Sequence, residues 1–434
     1  MKVHLKALGC RLNEAELEQW SRSFRSSGHE LVNEPELADI VVVNTCAVTV
    51  DATKKSRKLM NRLHRENPQS KLVVSGCYAT LDADKVAERI GVDLVVPNQQ
   101  KDQLPQQVMD AFAANTMPKI AMEPGESSLF TRGRQRAFIK IQDGCRYRCT
   151  FCIVTLARGE ERSRSLQEII NEVNLLTEQG IQEIVLTGVH VGGYGSDIGS
   201  SLAILVKSLL QETDIPRIRF ASVEPWDLPE DFFTLFENTR LMPHMHLPLQ
   251  SGADSILRRM SRRCKTAEFT RLVEQARIAI PNFNTTSDII VGFPGETDEE
   301  WQQTMQYVES IGFGHLHIFS YSPREGTKAA RLANPVDNDI KKQRSRELHI
   351  VAAKMKQQVL ASQKGLIVDV LWEQEKTNDA GQQIYTGYAP NYLKVETVLN
   401  NAISESTSRL KNTITQVQIN GFSTETFNLQ GTIL

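Results

Sequence analysis

The sequence has no apolar run approaching the roughly 18–20 residues a membrane helix needs, so no helical span is expected. A secretory leader is not expected either, because MKVHLKALGCRLNEAELEQW turns polar before an apolar h-region can form. Nor is there an excess of one charge: 50 Lys and Arg stand against 52 Asp and Glu, a formal net charge of −2 over 434 residues. That balance excludes recognition of a polyanion by overall charge and leaves only local basic patches. No internal repeat or low-complexity tract is visible, and 40% hydrophobic with 24% charged residues are globular proportions. Disordered, collagen-like and coiled-coil chains are thereby excluded. Cysteine is scarce, at seven residues: Cys10, Cys46, Cys77, Cys145, Cys149, Cys152 and Cys264. An odd number without an export signal argues against a disulfide framework. A cytoplasmic protein is expected, with its clustered thiols as metal or redox ligands.

A chain of this length predicts two or three domains. Residues 1–112 alternate strands (VHLKALGC, ADIVVVNTC, SKLVVSGC, VDLVVPN) with helical patterns, the signature of a parallel sheet covered by helices. Residues 113–135, with Pro118, Pro124, Gly125, Ser127, Ser128 and Gly133, read as a linker. Residues 136–362 hold six further βα units, whose strands are AFIKIQDG, EIVLTGVHV, RIRFASVEP, HMHLPLQSG, TTSDIIVGF and HLHIFSYSP. Six units predict a partial barrel rather than a closed eight-stranded one. A long amphipathic helix near 337–362 leads into residues 363–434, whose short strands predict a small all-β barrel. The fold class is therefore α/β with a C-terminal β domain.

Cys10, Cys46 and Cys77 each close a predicted strand, at separations of 36 and 31 residues, and open α/β sheets gather ligands along that edge. The other cluster is DGCRYRCTFC, a Cys-x3-Cys-x2-Cys run on Cys145, Cys149 and Cys152. Paired Cys-x2-Cys zinc spacing is absent there, and three thiolates leave one metal position open, which suits chemistry better than architecture.

The Cys-x3-Cys-x-aromatic-Cys loop resembles that of radical S-adenosylmethionine (SAM) enzymes. The ordered segments LGCRLNEAE, NTCAVT and SGCYA before it, and GYAPNYLKVE after it, resemble the methylthiotransferase family over nearly the whole chain. The resemblance implies an N-terminal methylthiotransferase domain, a radical SAM core and a TRAM-like tail. It implies that Cys145, Cys149 and Cys152 hold a 4Fe-4S cluster whose fourth iron takes SAM, giving methionine and a 5′-deoxyadenosyl radical. It implies a second 4Fe-4S cluster on Cys10, Cys46 and Cys77, through which sulfur reaches the substrate. Phe151 is then placed beside the cofactor's adenine, Gly188 in LTGVH near its methionine end, and Gly292 and Gly295 in GFPGET beneath the adenine. Arg158, Arg162 and Arg164, in ARGEERSRS, become candidates for a substrate or cofactor carboxylate.

Motif order and the short tail look most like the members acting on N6-threonylcarbamoyladenosine in tRNA; relatives act on N6-isopentenyladenosine or a ribosomal-protein aspartate. A flavodoxin- or ferredoxin-like electron donor is implied, and no membrane partner. A rival of another class is a zinc-stabilised RNA-binding protein. Local charge supports RNA: residues 54–65 carry six basic and no acidic groups, 132–164 nine against three, and 258–271 six against one. The tail is weakly acidic, and Tyr385, Tyr388 and Tyr392 there read either as base-stacking groups or as barrel core. Cys264 reads as a packed thiol on a basic helix. His190, His244, His246, His315 and His317 read as core or rim groups of the barrel.

Overall fold

The computed structural model describes residues 1–89, 91–112, 135–377, 381–399 and 410–434. Nearly all of the expected linker, 113–135, lies outside the described residues. The N-terminal region builds a five-stranded parallel sheet, in the order β2-β1-β3-β4-β5. Its strands are β1 (Lys2–Ala7), β2 (Glu30–Leu31), β3 (Ile40–Thr45), β4 (Lys71–Gly76) and β5 (Val92–Val96). The two-residue β2 was too short to show in the pattern. β3 reads IVVVNT and is buried throughout, as a central strand covered on both faces must be. Leu5, Trp20, Phe24, Val42 and Val73 pack one face, and Val41, Val43, Met60, Leu63 and Tyr78 the other.

The covering helices are α1 (Arg11–Ser26), α2 (Val50–Glu66), α3 (Cys77–Leu81), α4 (Ala83–Ala87) and α5 (Leu104–Phe112). Thr49 caps α2 by accepting from the amide of Ala52, which starts that helix soon after Cys46.

The middle of the chain forms the partial barrel. β6 (Arg136–Lys140), β9 (Glu183–Thr187) and β10 (Arg217–Phe220) make one parallel half, in the order β10-β9-β6. β11 (His244–His246), β12 (Asn284–Val291) and β13 (His315–Ser320) make the other. Bridges at Ile218–Leu241 and Ser222–His246 join the halves. A short antiparallel pair, β7 (Gln142–Asp143) with β8 (Arg162–Ser163), brackets the cysteine loop. Outside the strands lie α6 (Val154–Arg158), α7 (Leu166–Glu178), α8 (Leu202–Glu212), α9 (Asp254–Arg259), α10 (Thr266–Ala279), α11 (Asp298–Ile311) and α12 (Asn338–Ala361). The core between strands and helices includes Ile139, Leu186, Ile218, Met245, Ile289, Leu316, Leu348 and Met355.

The tail closes into a five-stranded barrel: β14 (Ile367–Thr377), β15 (Gln383–Tyr388), β16 (Lys394–Leu399), β18 (Leu429–Ile433) and β17 (Ile414–Phe422). Closure removes the exposed sheet edges that a small β domain would otherwise present.

Two alternatives left by the sequence are decided in this region. Tyr385 is barrel core, packed with Trp372. Tyr388 and Tyr392 stack on each other at 4.9 Å and sit under Arg136, while Arg11 and Arg219 also cover Tyr392. These rings join the tail to the barrel. Cys264 lies in the turn between α9 and α10 rather than on a helix, and is buried in the main core as a packed thiol.

Candidate functional site

β1, β3 and β4 are neighbours in the sheet, and each delivers one cysteine at its carboxyl end. Cys10 caps α1, Cys46 follows β3, and Cys77 opens α3. The loop over this edge is tight. Gly9 has φ +103°, and a Cβ there would stand 2.7 Å from the Sγ of Cys46, so only glycine fits. Cys46 lies in the fields of both Cys10 and Cys77, and burial pushes its thiol up to about 11.

The second triad hangs from β7. Its loop is stitched in place: the amide of Cys145 donates to Gly159 O at 3.1 Å, Thr150 N to Met260 O at 3.0 Å, and Ala329 N to Thr150 O at 2.8 Å. Burial raises Cys145 to about 12 and Cys152 to about 11. Thiols held so high are protonated at neutral pH unless a cation binds them, and metal coordination deprotonates a thiol outright. Two triads, with Cys46 and Cys77 buried, Cys145, Cys149 and Cys152 partly buried and Cys10 at the exposed rim, therefore fit metal–sulfur groups better than nucleophiles.

The triads are adjacent. Cys152 senses Cys77, α6 packs on α3, and Ala157 is part of the same apolar cluster as Cys77. Asn98 reaches across this boundary, donating to Ala157 O at 2.7 Å with its amide also 3.7 Å from the Sγ of Cys77.

A buried charge cluster pins this boundary. Arg158 donates to Glu16 Oε1 and Asp143 Oδ1, both at 3.0 Å, and to Asn13 Oδ1 at 2.8 Å. Lys101 pairs with Glu16 and stands 3.2 Å from Asp143, and Lys140 is 3.3 Å from Asp143. Burial pushes Glu16 up, but Lys101, Arg158 and Lys140 outweigh it and hold the carboxyl at about 2.

The structure thus gives Arg158 a job other than the expected carboxylate contact. It is 2% exposed and its donors are spent within the protein. Arg164 is also engaged, by Glu172 and the carbonyl of Lys140. Arg162 keeps a half-exposed guanidinium, with the nearest carboxylate oxygen, of Asp143, at 3.8 Å.

Of the expected cofactor residues, Phe151 lies in the loop of the second triad and the three glycines lie just past barrel strands. Phe151 packs on Ile256, Met260, Ile290, Phe293 and Tyr321. Gly188 follows β9, where Val189 and His190 donate to Gln142 Oε1 at 3.0 and 2.9 Å. Gly292 follows β12 at φ +73°, and its amide donates to Glu296, which Arg344 fixes. Gly295 sits in the same turn, its carbonyl held by Arg259 at 3.0 Å.

Sequence reasoning missed the polar groups beside the second triad. His190 is fully buried, contacts Glu161 through Nδ1, and lies 2.6 Å from Asp227 through Nε2. Tyr147 donates to the same Asp227 at 2.7 Å. Glu224 lies in the field of Cys145, and its buried Oε2 has no hydrogen-bond partner among the described residues. Arg262 lies over the Trp226 ring at 4.3 Å with Nη1 3.8 Å from the Sγ of Cys149. The signal available was position: LTGVH and SVEP both end barrel strands.

On α2, Lys54, Lys55, Lys58 and Arg65 are exposed, whereas Arg57 donates to the Tyr78 hydroxyl at 2.9 Å. Among the described residues no helix is long and apolar enough to cross a membrane.

Residues 139–308 match the family model described as Radical SAM superfamily, and residues 2–97 match uncharacterized protein family UPF0004. The chain is 34% identical over 405 residues to threonylcarbamoyladenosine tRNA methylthiotransferase MtaB of Bacillus subtilis, covering 91% of this chain and 89% of that one. The namesake of Thermotoga maritima is 33% identical, with 92% of each chain covered. The tRNA-2-methylthio-N(6)-dimethylallyladenosine synthase of Oceanobacillus iheyensis is 35% identical, covering 89% of this chain and 77% of that one. Among solved structures, the radical S-adenosylmethionine methyltransferase TsrM of Kitasatospora setae superposes with a TM-score of 0.56 at 15% identity, over 76% of this chain and 74% of that one. That likeness is one of fold.

Proposed function

The chain belongs to the radical S-adenosylmethionine tRNA methylthiotransferases, and from that membership we propose that it adds a methylthio group to carbon 2 of N6-threonylcarbamoyladenosine at position 37 of tRNA. The nucleoside rests on one observation, the match in length. The relatives named for threonylcarbamoyladenosine are covered over 89–92% of their own chains, and those named for dimethylallyladenosine over 77–86%.

In this reading Cys145, Cys149 and Cys152 hold the cluster that takes SAM, and Cys10, Cys46 and Cys77 hold the second. A cluster held by Cys145, Cys149 and Cys152 together with SAM would supply the low-potential electron and the radical chemistry that an inert aromatic C–H bond requires. A reductant of the flavodoxin or ferredoxin class feeds it.

The chain's own residues do the rest. Phe151 and its apolar wall exclude water from the cofactor's adenine, Gly292 and Gly295 let backbone approach the adenine closely, and Gly188 does the same at the methionine end. Glu224, whose buried Oε2 makes no hydrogen bond among the described residues and stands 3.8 Å from His190 Nε2, offers an acceptor for the cofactor's ammonium group. Arg262 places its guanidinium 3.8 Å from the Sγ of Cys149. Arg162 is the guanidinium with surface to spare for the carboxylate of the threonylcarbamoyl group, and the exposed lysines of α2 take tRNA phosphates. The adjacency of the triads lets sulfur and radical meet at one base.

Nucleoside mass spectrometry of tRNA from a strain lacking the protein tests this. 2-Methylthio-N6-threonylcarbamoyladenosine should vanish, the unthiolated nucleoside should accumulate, and 2-methylthio-N6-isopentenyladenosine should stay normal. The reverse pattern refutes the substrate assignment.

A further inference from the structure

The face of β11, β12 and β13 that turns away from the helices carries a group of side chains that neither cysteine triad uses. On β13, Leu316 and Ile318 point into the main core with Leu348 and Met355. The alternate residues His315 and His317 therefore face the barrel lumen. Asp288 of β12 is in register with His317, and Thr286 is in register with both His246 and His315. Ile290, two residues beyond Asp288 on the same face, packs in the cluster that receives Phe151. The group thus lies in the lumen, about one strand repeat (roughly 7 Å) below the apolar wall of the second triad.

His246 Nε2 is 3.2 Å from Asp288 Oδ1, and the rings of His246 and His317 stand 5.4 Å apart. One ligand atom from each of His246, Asp288 and His317 falls within 4.8 Å of the others. His246 Nδ1 is 2.9 Å from the Thr286 hydroxyl. The same hydroxyl stands 3.1 Å from His244 Nε2. In the His246 tautomer that carries its hydrogen on Nδ1, the ring donates to Thr286 and keeps the Nε2 lone pair on the side of Asp288, the arrangement by which an outer partner orients a metal-binding histidine. Among the described residues neither ring nitrogen of His317 has a hydrogen-bond partner. An ordinary His–Asp pair needs no such third group.

We propose that His246, Asp288 and His317 form a binding site for a divalent cation of the zinc class, separate from both cysteine triads. Two imidazoles and a carboxylate are a donor set that such ions take, in a three-ligand site with a further position open. Tetrahedral ligands about zinc stand roughly 3.3–3.5 Å apart, so closing the site asks only a small side-chain rotation of His317. The open position faces the lumen, where it would accept an oxygen or nitrogen of a bound substrate.

The test uses the holoenzyme with both clusters in place. It is equilibrated with Zn2+ against a weak chelator, and zinc, iron and sulfide are counted per chain. The wild type should retain one zinc. His317→Ala and Asp288→Asn should bind it at least tenfold more weakly with iron and sulfide unchanged, and Thr286→Val should weaken it while all three ligands remain. Zinc-edge X-ray absorption should give a nitrogen/oxygen shell at about 2.0–2.1 Å rather than the roughly 2.3 Å of sulfur. No retained zinc in the wild type, a sulfur shell, or equal zinc in wild type and variants would each overturn the site. None of these readouts depends on which nucleoside is modified, so this inference and the substrate assignment fail separately.

Discussion

Replacing Arg158 with Met should destabilise the chain by about 3 kcal/mol, before any question of catalysis arises. Its guanidinium is 2% exposed and bridges Glu16 and Asn13 of α1 to Asp143 beneath the cysteine loop. Removing one partner of a buried ion pair costs about 3–5 kcal/mol, because charges are left without compensation. Here the lower end applies, since Lys101 and Lys140 remain against Glu16 and Asp143. With a urea m-value near 3 kcal/mol/M, the unfolding midpoint followed by circular dichroism should fall by about 1 M. Arg158→Lys should fall between the two, because an ammonium answers one carboxylate but does not fork. A Met variant that unfolds with the wild type, and instead shows only a raised KM for tRNA, would return Arg158 to the substrate and refute the structural assignment.

Three further outcomes are expected. Replacing Cys145, Cys149 and Cys152 with Ala should abolish 5′-deoxyadenosine formation and halve bound iron, whereas replacing Cys10, Cys46 and Cys77 should spare cleavage and stop sulfur transfer; cleavage surviving the first set breaks the assignment. Changing Lys54, Lys55 and Lys58 to Ala should lower the slope of log K for tRNA against log salt by about 2–3, at roughly 0.7–0.9 per phosphate contact, and an unchanged slope removes α2 from the RNA surface. Glu16 titrates near 2 in the fold against an ordinary value of 4.5, so the unfolded chain takes up more protons on acidification. Its contribution is full above about pH 4.5 and is lost toward pH 2, so the stability gap between wild type and Glu16→Gln should be widest at pH 6 and shrink below pH 4.5; a gap constant with pH contradicts the pairing.

The local pattern of the chain was enough for much of this molecule. Alternation of apolar strands with helical segments carries the N-terminal sheet, the six-stranded partial barrel and the closed tail, because period and turn chemistry are properties of neighbouring residues. The three thiols at strand ends were legible for the same reason: a parallel sheet brings the carboxyl ends of adjacent strands together. What depends on partners far along the chain was not legible. Arg158 and its neighbours Arg162 and Arg164 look alike in ARGEERSRS, and only the approach of Glu16 and Asn13, more than a hundred residues earlier, spends the first while leaving the second half-exposed. Tyr388 and Tyr392 share a segment with Tyr385, yet arginines from α1, β6 and β10 turn them into a joint between domains while Tyr385 fills the tail's own core. Composition and spacing determined which elements form and where sulfur gathers. The tertiary structure decided which charges face one another, because burial and ion pairing are set by distances that sequence separation does not encode.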